Sequence, residues 1–293
     1  MFFLPWIFYW FYSLFFKFLF SQESTQHFIC FTGNPISPFL YHIEAKQWEK
    51  LDRMGTSPRG ELTEYSSVKK FDSKLNSWIV LFFGGVFGSD LSYNTNIYQY
   101  QCNNNKWSIL TRRKKNPNGR ACPAVAYHEK SNRVFYHGGY FQDFYDDFYT
   151  FDSETLQWSP IIPKSSFKPS PRAYHSCTIY HNRYLLMFGG DTQNRSSNEI
   201  FEYDIDMSIW IKIKLTGCGE LQGAQFSYLF YRPLANDIIL VKSSSKNPST
   251  CNNHIIHIQL QGSTCDEFTN RLWKNRKSFT SISIVLQSYI SPC

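Results

Sequence analysis

Glycine doublets at nearly equal intervals are the feature that most constrains the fold of this chain. Each doublet ends an apolar run, and a single glycine ends a fourth run in the same way. The second glycines follow one another at 33, 85, 139 and 190, which gives steps of 52, 54 and 51 residues. The residues concerned are Gly33, Gly84, Gly85, Gly138, Gly139, Gly189 and Gly190. A repeat of about 50 residues indicates one structural unit copied along the chain.

Tryptophan keeps the same interval. The four residues are Trp48, Trp107, Trp158 and Trp210, and an aromatic residue precedes each of them by seven positions. These aromatics are Tyr41, Tyr100, Phe151 and Tyr203. Three markers in phase over four copies predict an internal repeat that organises everything after the first 26 residues.

Residues 172–214 show what one unit contains. Residues 172–180 are rich in β-formers, His181-Asn182 is a turn signal, and residues 184–188 form a second apolar run that Gly189-Gly190 ends. Residues 199–204 alternate polar and apolar side chains, and a fourth run covers 209–213. We therefore predict four short antiparallel strands per unit and no helix, with glycines where a Cβ atom would clash or φ must be positive.

The motifs of this unit resemble a kelch repeat. The matching residues are Pro171, Arg172, His175, Gly189, Gly190, Tyr203, Asp204 and Trp210. The third unit matches through Arg120, Gly138, Gly139, Phe151, Asp152 and Trp158, and the second, with an insertion, through Arg59, Gly84, Gly85, Tyr100 and Trp107. The resemblance covers residues 27–290 and implies an all-β fold, a kelch-type β-propeller in which stacked four-stranded sheets leave few exposed edges.

About five blades are recognisable in this pattern. The first begins at residues 28–31 and lacks a first strand, whereas the last has strands predicted at 224–231, 237–241 and 254–260 and carries Cys265 where Trp is expected. Residues 278–286 then provide one more strand. In a propeller of this family such a strand joins the two termini, so we expect Ser278–Leu286 to complete the N-terminal blade.

Residues 1–26 are kept apart from the propeller because residues 2–20 are almost entirely apolar and hold 12 aromatic residues. A signal peptide, a membrane anchor and a wrongly chosen start all fit the segment. Membrane contact is expected only for an anchor, and the compartment follows from the same choice. The eight cysteines do not decide it, because their spacing is irregular and several lie in apolar runs. One N-glycosylation triplet occurs, at Asn194-Arg195-Ser196.

Signatures of catalysis are mostly missing from the sequence, so we expect no enzyme and no cofactor. The best candidates for a copper-radical oxidase, which the resemblance leaves open, are Tyr174, His175 and Cys177. Cys251, His254, His257 and Cys265 resemble a metal-ligand set, but His254 and His257 would point to opposite faces of one strand and could not reach one ion, so no metal is expected. Arg59, Arg120 and Arg172 precede first strands, where we expect them to bind backbone carbonyl groups rather than ligands.

Two loops carry the predicted binding residues. One holds the only dense basic run, and the other places aromatic and acidic residues side by side; loops 86–96 and 191–198 are expected on the same face. The binding residues are Arg112, Arg113, Lys114, Lys115, Phe141, Asp143, Phe144, Tyr145 and Asp146, with Asp147 beside them. Aromatic anchors with a charged rim are typical of protein-binding surfaces. The sequence thus predicts a protein–protein interaction scaffold that binds no nucleic acid; a secreted carbohydrate-binding or oxidase-like propeller is the alternative.

Overall fold

A computed structural model describes residues 19–20, 27–32, 36–42, 44–110, 117–216, 223–224, 227–243, 253–260 and 281–285. Regular structure in these ranges is β-strand apart from one 3₁₀ turn, Glu129–Ser131. The described residues include no helix that could span a membrane. The chain divides into two compact units, Met1–Pro123 with Phe151–Trp158 and Ala124–Thr150 with Ser159–Cys293, and each is described by itself.

The first unit contains two complete sheets. The first has the order β1-β2-β3-β4, with β1 (Leu19–Phe20), β2 (His27–Thr32), β3 (Ser37–His42) and β4 (Gln47–Lys50). The second has the order β5-β9-β8-β7-β6, with β5 (Met54–Gly55), β6 (Leu62–Asp72), β7 (Ser77–Phe87), β8 (Ile97–Gln101) and β9 (Lys106–Leu110). Neighbours in both sheets are antiparallel except β5 and β9. The core of this unit joins side chains from both sheets, including Phe31, Phe82 and Trp107.

The third sheet has the order β10-β11-β14-β15, and the boundary between the units runs through it. Its strands are β10 (Ala124–His128), β11 (Arg133–His137), β14 (Phe148–Asp152) and β15 (Gln157–Pro160). A small hairpin between β11 and β14 is formed by β12 (Tyr140–Phe141) and β13 (Asp143–Phe144).

The second unit also contains a sheet of eight strands, in the order β16-β17-β18-β19-β23-β22-β21-β20. One half consists of β16 (Ser176–Tyr180), β17 (Tyr184–Phe188), β18 (Ile200–Asp204) and β19 (Ile209–Thr216). The other half consists of β20 (Ser227–Arg232), β21 (Asp237–Ser243), β22 (Asn253–Gln259) and β23 (Ser281–Val285). The four strands predicted within residues 172–214 are thereby confirmed, as are the three predicted after residue 224.

The predicted role of Ser278–Leu286 is wrong. Its described part, Ser281–Val285, does not complete the N-terminal sheet, where β1 already pairs with β2. Instead β23 pairs antiparallel with β22 and parallel with β19. It thus takes the fourth-strand place of the last repeat, which the seven-residue spacing had assigned to Cys265, a residue outside the described ranges. The physical reason is that β22 follows β21 as an edge strand whose outer backbone groups need a partner.

The glycine doublets join consecutive repeats. The second glycine of each doublet donates its amide hydrogen to a carbonyl at the start of the next repeat's first strand. These bonds run from Gly85 to Arg120 at 2.8 Å, from Gly139 to Arg172 at 2.9 Å and from Gly190 to Ala224 at 2.9 Å. A Cβ atom on the first glycine would lie 2.5, 2.5 and 2.8 Å from the same three carbonyl oxygens, and all six glycines have positive φ. The repeat therefore needs glycine for both reasons predicted; Gly33 lies outside the described residues.

The tryptophans pack between successive repeats. Each described pair of Trp and preceding aromatic meets across two strands, with ring centroids 4.9 to 5.1 Å apart. Trp107 also contacts Phe31, and Trp158 contacts Phe83, both from the preceding repeat of the first unit. In the second unit Trp210 lies 5.3 Å from Phe148. These three tryptophans are buried, as a structural role requires, while Trp48 of the first repeat is 39% exposed.

Candidate functional site

The loop of residues 140–147 is built on the β12–β13 hairpin. Tyr140 pairs with Phe144 across it, with ring centroids 5.2 Å apart, and Gln142 turns the chain with φ of 60°. The amide of Gly138 donates to the carbonyl of Asp147, and that of Tyr145 donates to the carbonyl of Gly139. The hairpin is therefore tied at its base to the glycine doublet that ends β11.

Asp143 connects this loop to the next repeat. Its Oδ1 accepts hydrogen bonds from the Gln193 side chain at 2.9 Å and from the Phe144 amide at 2.7 Å. The bond from Gln193, and secondly that from Phe144, holds the pKa of the exposed Asp143 carboxyl below its ordinary value. Loops 140–147 and 191–198 thus lie together, as predicted. We call the surface formed by residues 140–147 and 191–196 the loop surface.

Acidic and basic groups at the border of the loop surface neutralise one another in part. Lys168 Nζ lies 2.8 Å from Asp146, and both side chains are partly exposed. Phe141, Phe144 and Tyr145 are half-buried and Asp143 is exposed. All five predicted residues from loop 140–147 therefore share one surface, whereas the basic run Arg112, Arg113, Lys114 and Lys115 lies outside the described residues.

Arg172 is a buried residue that is hydrogen-bonded to the loop surface. Its amide donates to the carbonyl of Tyr145 at 3.0 Å, and its fully buried guanidinium donates to the carbonyl of Gly189 at 2.9 Å and to Glu199 at 3.0 Å. Burial lowers the pKa of Arg172, although Glu199 opposes that change. Burial alone would raise the pKa of Glu199, but hydrogen bonds from Lys212 and Arg172 lower it overall. The bond to Gly189 agrees with the structural role predicted for this arginine.

The other two predicted arginines differ from each other. Arg120 is 1% exposed and binds the carbonyl of Asn118. Arg59 is exposed and lies outside the repeat register, because the backbone position equivalent to Arg172 in the second repeat is held by Leu62. The insertion in that repeat explains why the alignment by sequence chose the wrong residue.

In the first unit the corresponding loop 86–96 is closed by its own hydrogen bonds. Asn94 donates its backbone amide to the carbonyl of Gly85 and its side-chain amide to that of Gly84, each at 2.8 Å. A Cβ atom on Gly119 would lie within 3.1 Å of backbone oxygens of Tyr93 and Asn94. Loop 86–96 and the connection that begins the next repeat therefore lie side by side within this unit.

One of the oxidase candidates, His175, is hydrogen-bonded to a second histidine, His137. His175 is 6% exposed, and its Nε2 lies 3.0 Å from Nδ1 of His137. Burial, and secondly the neighbouring His137 and Arg172, keep the pKa of His175 well below its ordinary value. Tyr174 has φ of 60°, and the equivalent residues Glu64 and Cys122 also have positive φ, of 54° and 44°. The two buried imidazoles thus join the third and fourth repeats through a direct contact.

No group of three or more His, Cys, Asp or Glu side chains within the described ranges could hold a metal ion. Cys251 and Cys265 lie outside those ranges.

Sequence reasoning missed Gln193, which belongs to the loop surface, and Lys168, which pairs with Asp146 at its border. Both are polar residues in loops, with no motif of their own. The one sequence feature that could have indicated Gln193 is its position. It follows the Gly189-Gly190 doublet just as loop 140–147 follows Gly138-Gly139.

The chain is similar in sequence to a known family of repeat proteins. The family model described as the KLHDC2/KLHL20/DRC7 Kelch-repeats domain matches residues 73–255, more than half of the chain. Kelch domain-containing protein 2 of Bos taurus is 25% identical in a match 192 residues long, and this match covers 56% of this chain and 44% of that protein. Acyl-CoA-binding domain-containing protein 5 of Arabidopsis thaliana is 29% identical over 104 residues, 36% of this chain and 16% of its own length.

The chain spans less than half the length of these relatives. Its matched residues contain the doublets and tryptophans of three repeats, each in a sheet with the expected strands. The chain therefore belongs to the kelch-repeat family, and its fold is the kelch-type β-propeller.

Proposed function

We propose that this protein is a binding scaffold whose protein partner docks on the loop surface. Kelch-repeat domains generally bind other proteins, which gives the class of partner but not its identity. The observation that carries the proposal is the hydrogen bond between Gln193 and Asp143, residues 50 positions apart. It supports a docking role because it holds two loops of consecutive repeats in one arrangement before any partner arrives.

The side chains of the loop surface suit such a role. Tyr140 and Phe144 form a rigid aromatic pair, and Asp143 and Gln193 offer polar groups at its border. Aromatic residues bring large contact area with few rotatable bonds, while a polar rim gives specificity. Fixed loops also lose little conformational entropy on binding.

The test begins with isolation of a partner by affinity capture and continues with titration of purified proteins. Phe144→Ala is expected to weaken binding by about 1–3 kcal/mol, roughly a 5- to 150-fold rise in Kd, because an anchor is removed. Leu234→Ala is the matched control, since Leu234 is fully exposed on the turn between β20 and β21.

Equal affinity of wild type and the Phe144 variant would place the docking site elsewhere. Circular dichroism and melting curves of both variants show that any loss does not come from unfolding. A variant with Asp143→Asn and Gln193→Ala, which frees the two loops from each other, is expected to bind more weakly as well.

A further inference from the structure

The triplet Asn194-Arg195-Ser196 lies at the tip of an exposed loop. It is the single sequon in the chain, because Asn247-Pro248-Ser249 has the proline that excludes the modification. A bridge between Asp191 and Ser196 closes the loop, and the amide of Thr192 donates to the carbonyl of Arg195 at 3.0 Å. Asn194 therefore lies at the outermost part of a narrow turn.

The side chain of Asn194 has the freedom that a bulky modification needs. It is exposed and makes no hydrogen bond with any of the described residues. Replacing one of its amide hydrogens by a sugar therefore breaks no contact in the fold. We propose that Asn194 is an N-glycosylation site.

Transfer of the oligosaccharide to Asn194 is a substitution in which one bond forms and one bond breaks. The Nδ2 atom of Asn194 forms a bond to C1 of a lipid-pyrophosphate-linked oligosaccharide. The bond between C1 and the phosphate oxygen breaks, the lipid pyrophosphate leaves, and the amide loses one proton to a base of the transferase. No oxidant or reductant is required.

The folded structure fits a modification that precedes folding. Ser196, whose hydroxyl is part of the recognised triplet, donates that hydroxyl to Asp191 at 2.6 Å once the loop has formed. The unfolded chain has this hydroxyl free for the transferase. The folded chain then carries the glycan on an exposed side chain, as surface sequons do.

Two features of the chain agree with passage through the compartment where this chemistry occurs. Residues 2–20 have the apolar character of a signal or anchor segment. Cys30 and Cys122 are at most 7% exposed, and burial raises the pKa of the Cys30 thiol far above its ordinary value. Inaccessible thiols of this kind persist in an oxidising compartment because they react slowly.

The experiment expresses the full chain from Met1 in cultured eukaryotic cells. Wild type is expected to migrate as a retarded band that an amidase specific for glycosylated asparagine removes, leaving aspartate at position 194 in the peptide mass spectrum. Asn194→Gln is expected to abolish the retarded band, and Ser196→Thr is expected to keep it.

Pro248→Ala provides a second sequon in the same chain and shows whether the chain meets the transferase. A glycan on this variant at Asn247, with Asn194 unmodified, would overturn the proposal because the loop is then not a substrate. Absence of glycan at both positions would overturn it as well. Asn194 itself belongs to the loop surface, so partner binding is measured on the unglycosylated Asn194→Gln variant as well as on wild type, and neither glycosylation outcome then decides the proposed function.

Discussion

Trp210 shows how one residue secures the contact between two repeats. It is 4% exposed and lies against Tyr203, Phe148 and His137. Trp210→Ala is expected to lower the free energy of unfolding by about 3–5 kcal/mol, since it leaves a cavity among these rings. Urea denaturation measures the loss.

Trp48 is the matched control for that substitution. It is 39% exposed and packs against Tyr41 with ring centroids 4.9 Å apart. Trp48→Ala is expected to cost less than about 1 kcal/mol. Similar losses for the two variants would mean that burial between repeats is not what the tryptophans contribute.

Glu202 is a buried carboxyl group in β18 whose ionisation opposes folding. It is 2% exposed, accepts a hydrogen bond from the hydroxyl of Tyr180 and lies near Asp204 and Arg183. Burial raises its pKa from 4.5 to about 7, outweighing the opposite effect of the Tyr180 bond. The protonated form is therefore favoured in the folded state.

Stability from this group is complete below pH 4.5 and is lost as the pH rises through about 7. Over that window the wild type is expected to lose about 3 kcal/mol relative to Glu202→Gln, which stays neutral and can still accept the Tyr180 hydrogen bond. Denaturation at several pH values measures the difference. Parallel pH profiles for the two proteins would contradict the prediction.

At the scale of elements, the second, third and fourth repeats each carry two glycines at the second strand: they follow β11 and β17, whereas β7 continues through Gly84 and Gly85 to Phe87. Gly189 has φ of 73°, and a Cβ atom there would lie 2.8 Å from the carbonyl oxygen of Ala224, the group that binds the Gly190 amide. Gly189→Val is expected to lower the free energy of unfolding by at least about 2 kcal/mol, because it combines a left-handed backbone with this overlap. Thermal and urea unfolding measure it.

Gly88→Ala tests whether any added Cβ would have that effect. Gly88 has no positive φ, and the nearest atom to an added Cβ is Oε2 of the flexible Glu61 side chain at 3.1 Å. A change within about 0.5 kcal/mol is expected. Should the Gly189 variant be as stable as this one, the doublets would not be needed for joining repeats.

At the scale of the whole molecule, the net charge of +7 influences association with a partner. Replacing Arg112, Arg113, Lys114 and Lys115 by alanine reduces it by four, to +3. With an acidic partner we expect a lower association rate and a flatter dependence on salt, with little change in the dissociation rate. Stopped-flow binding at several ionic strengths measures both rates.

The control removes four other charges, those of the exposed lysines Lys46, Lys50, Lys106 and Lys130, which belong to other segments of the sequence. A loss of rate common to both variants would assign the effect to net charge. A loss confined to the first would assign it to the basic run itself.

Much of this fold was predictable because its determinants are local. A glycine doublet follows β11 and β17 directly and has positive φ angles, and a Trp seven residues after an aromatic indicates a hairpin, since Tyr203 and Trp210 are cross-strand partners. Such signals lie within one repeat, so they can be recognised in the sequence without knowledge of the tertiary structure. They were sufficient for the all-β class, the strands and the buried tryptophans.

Contacts between distant segments were decided by the tertiary structure. Ser281–Val285 reads as a strand, but a strand pattern does not name its partner, and both β19 and β22 offered an edge. Likewise the bond from Gln193 to Asp143 joins two loops that carry no shared motif. The sequence by itself determined where strands form and end, because that depends on local sterics; which edges and loops meet was decided by the packing of repeats, because backbone hydrogen bonding is indifferent to distance along the chain.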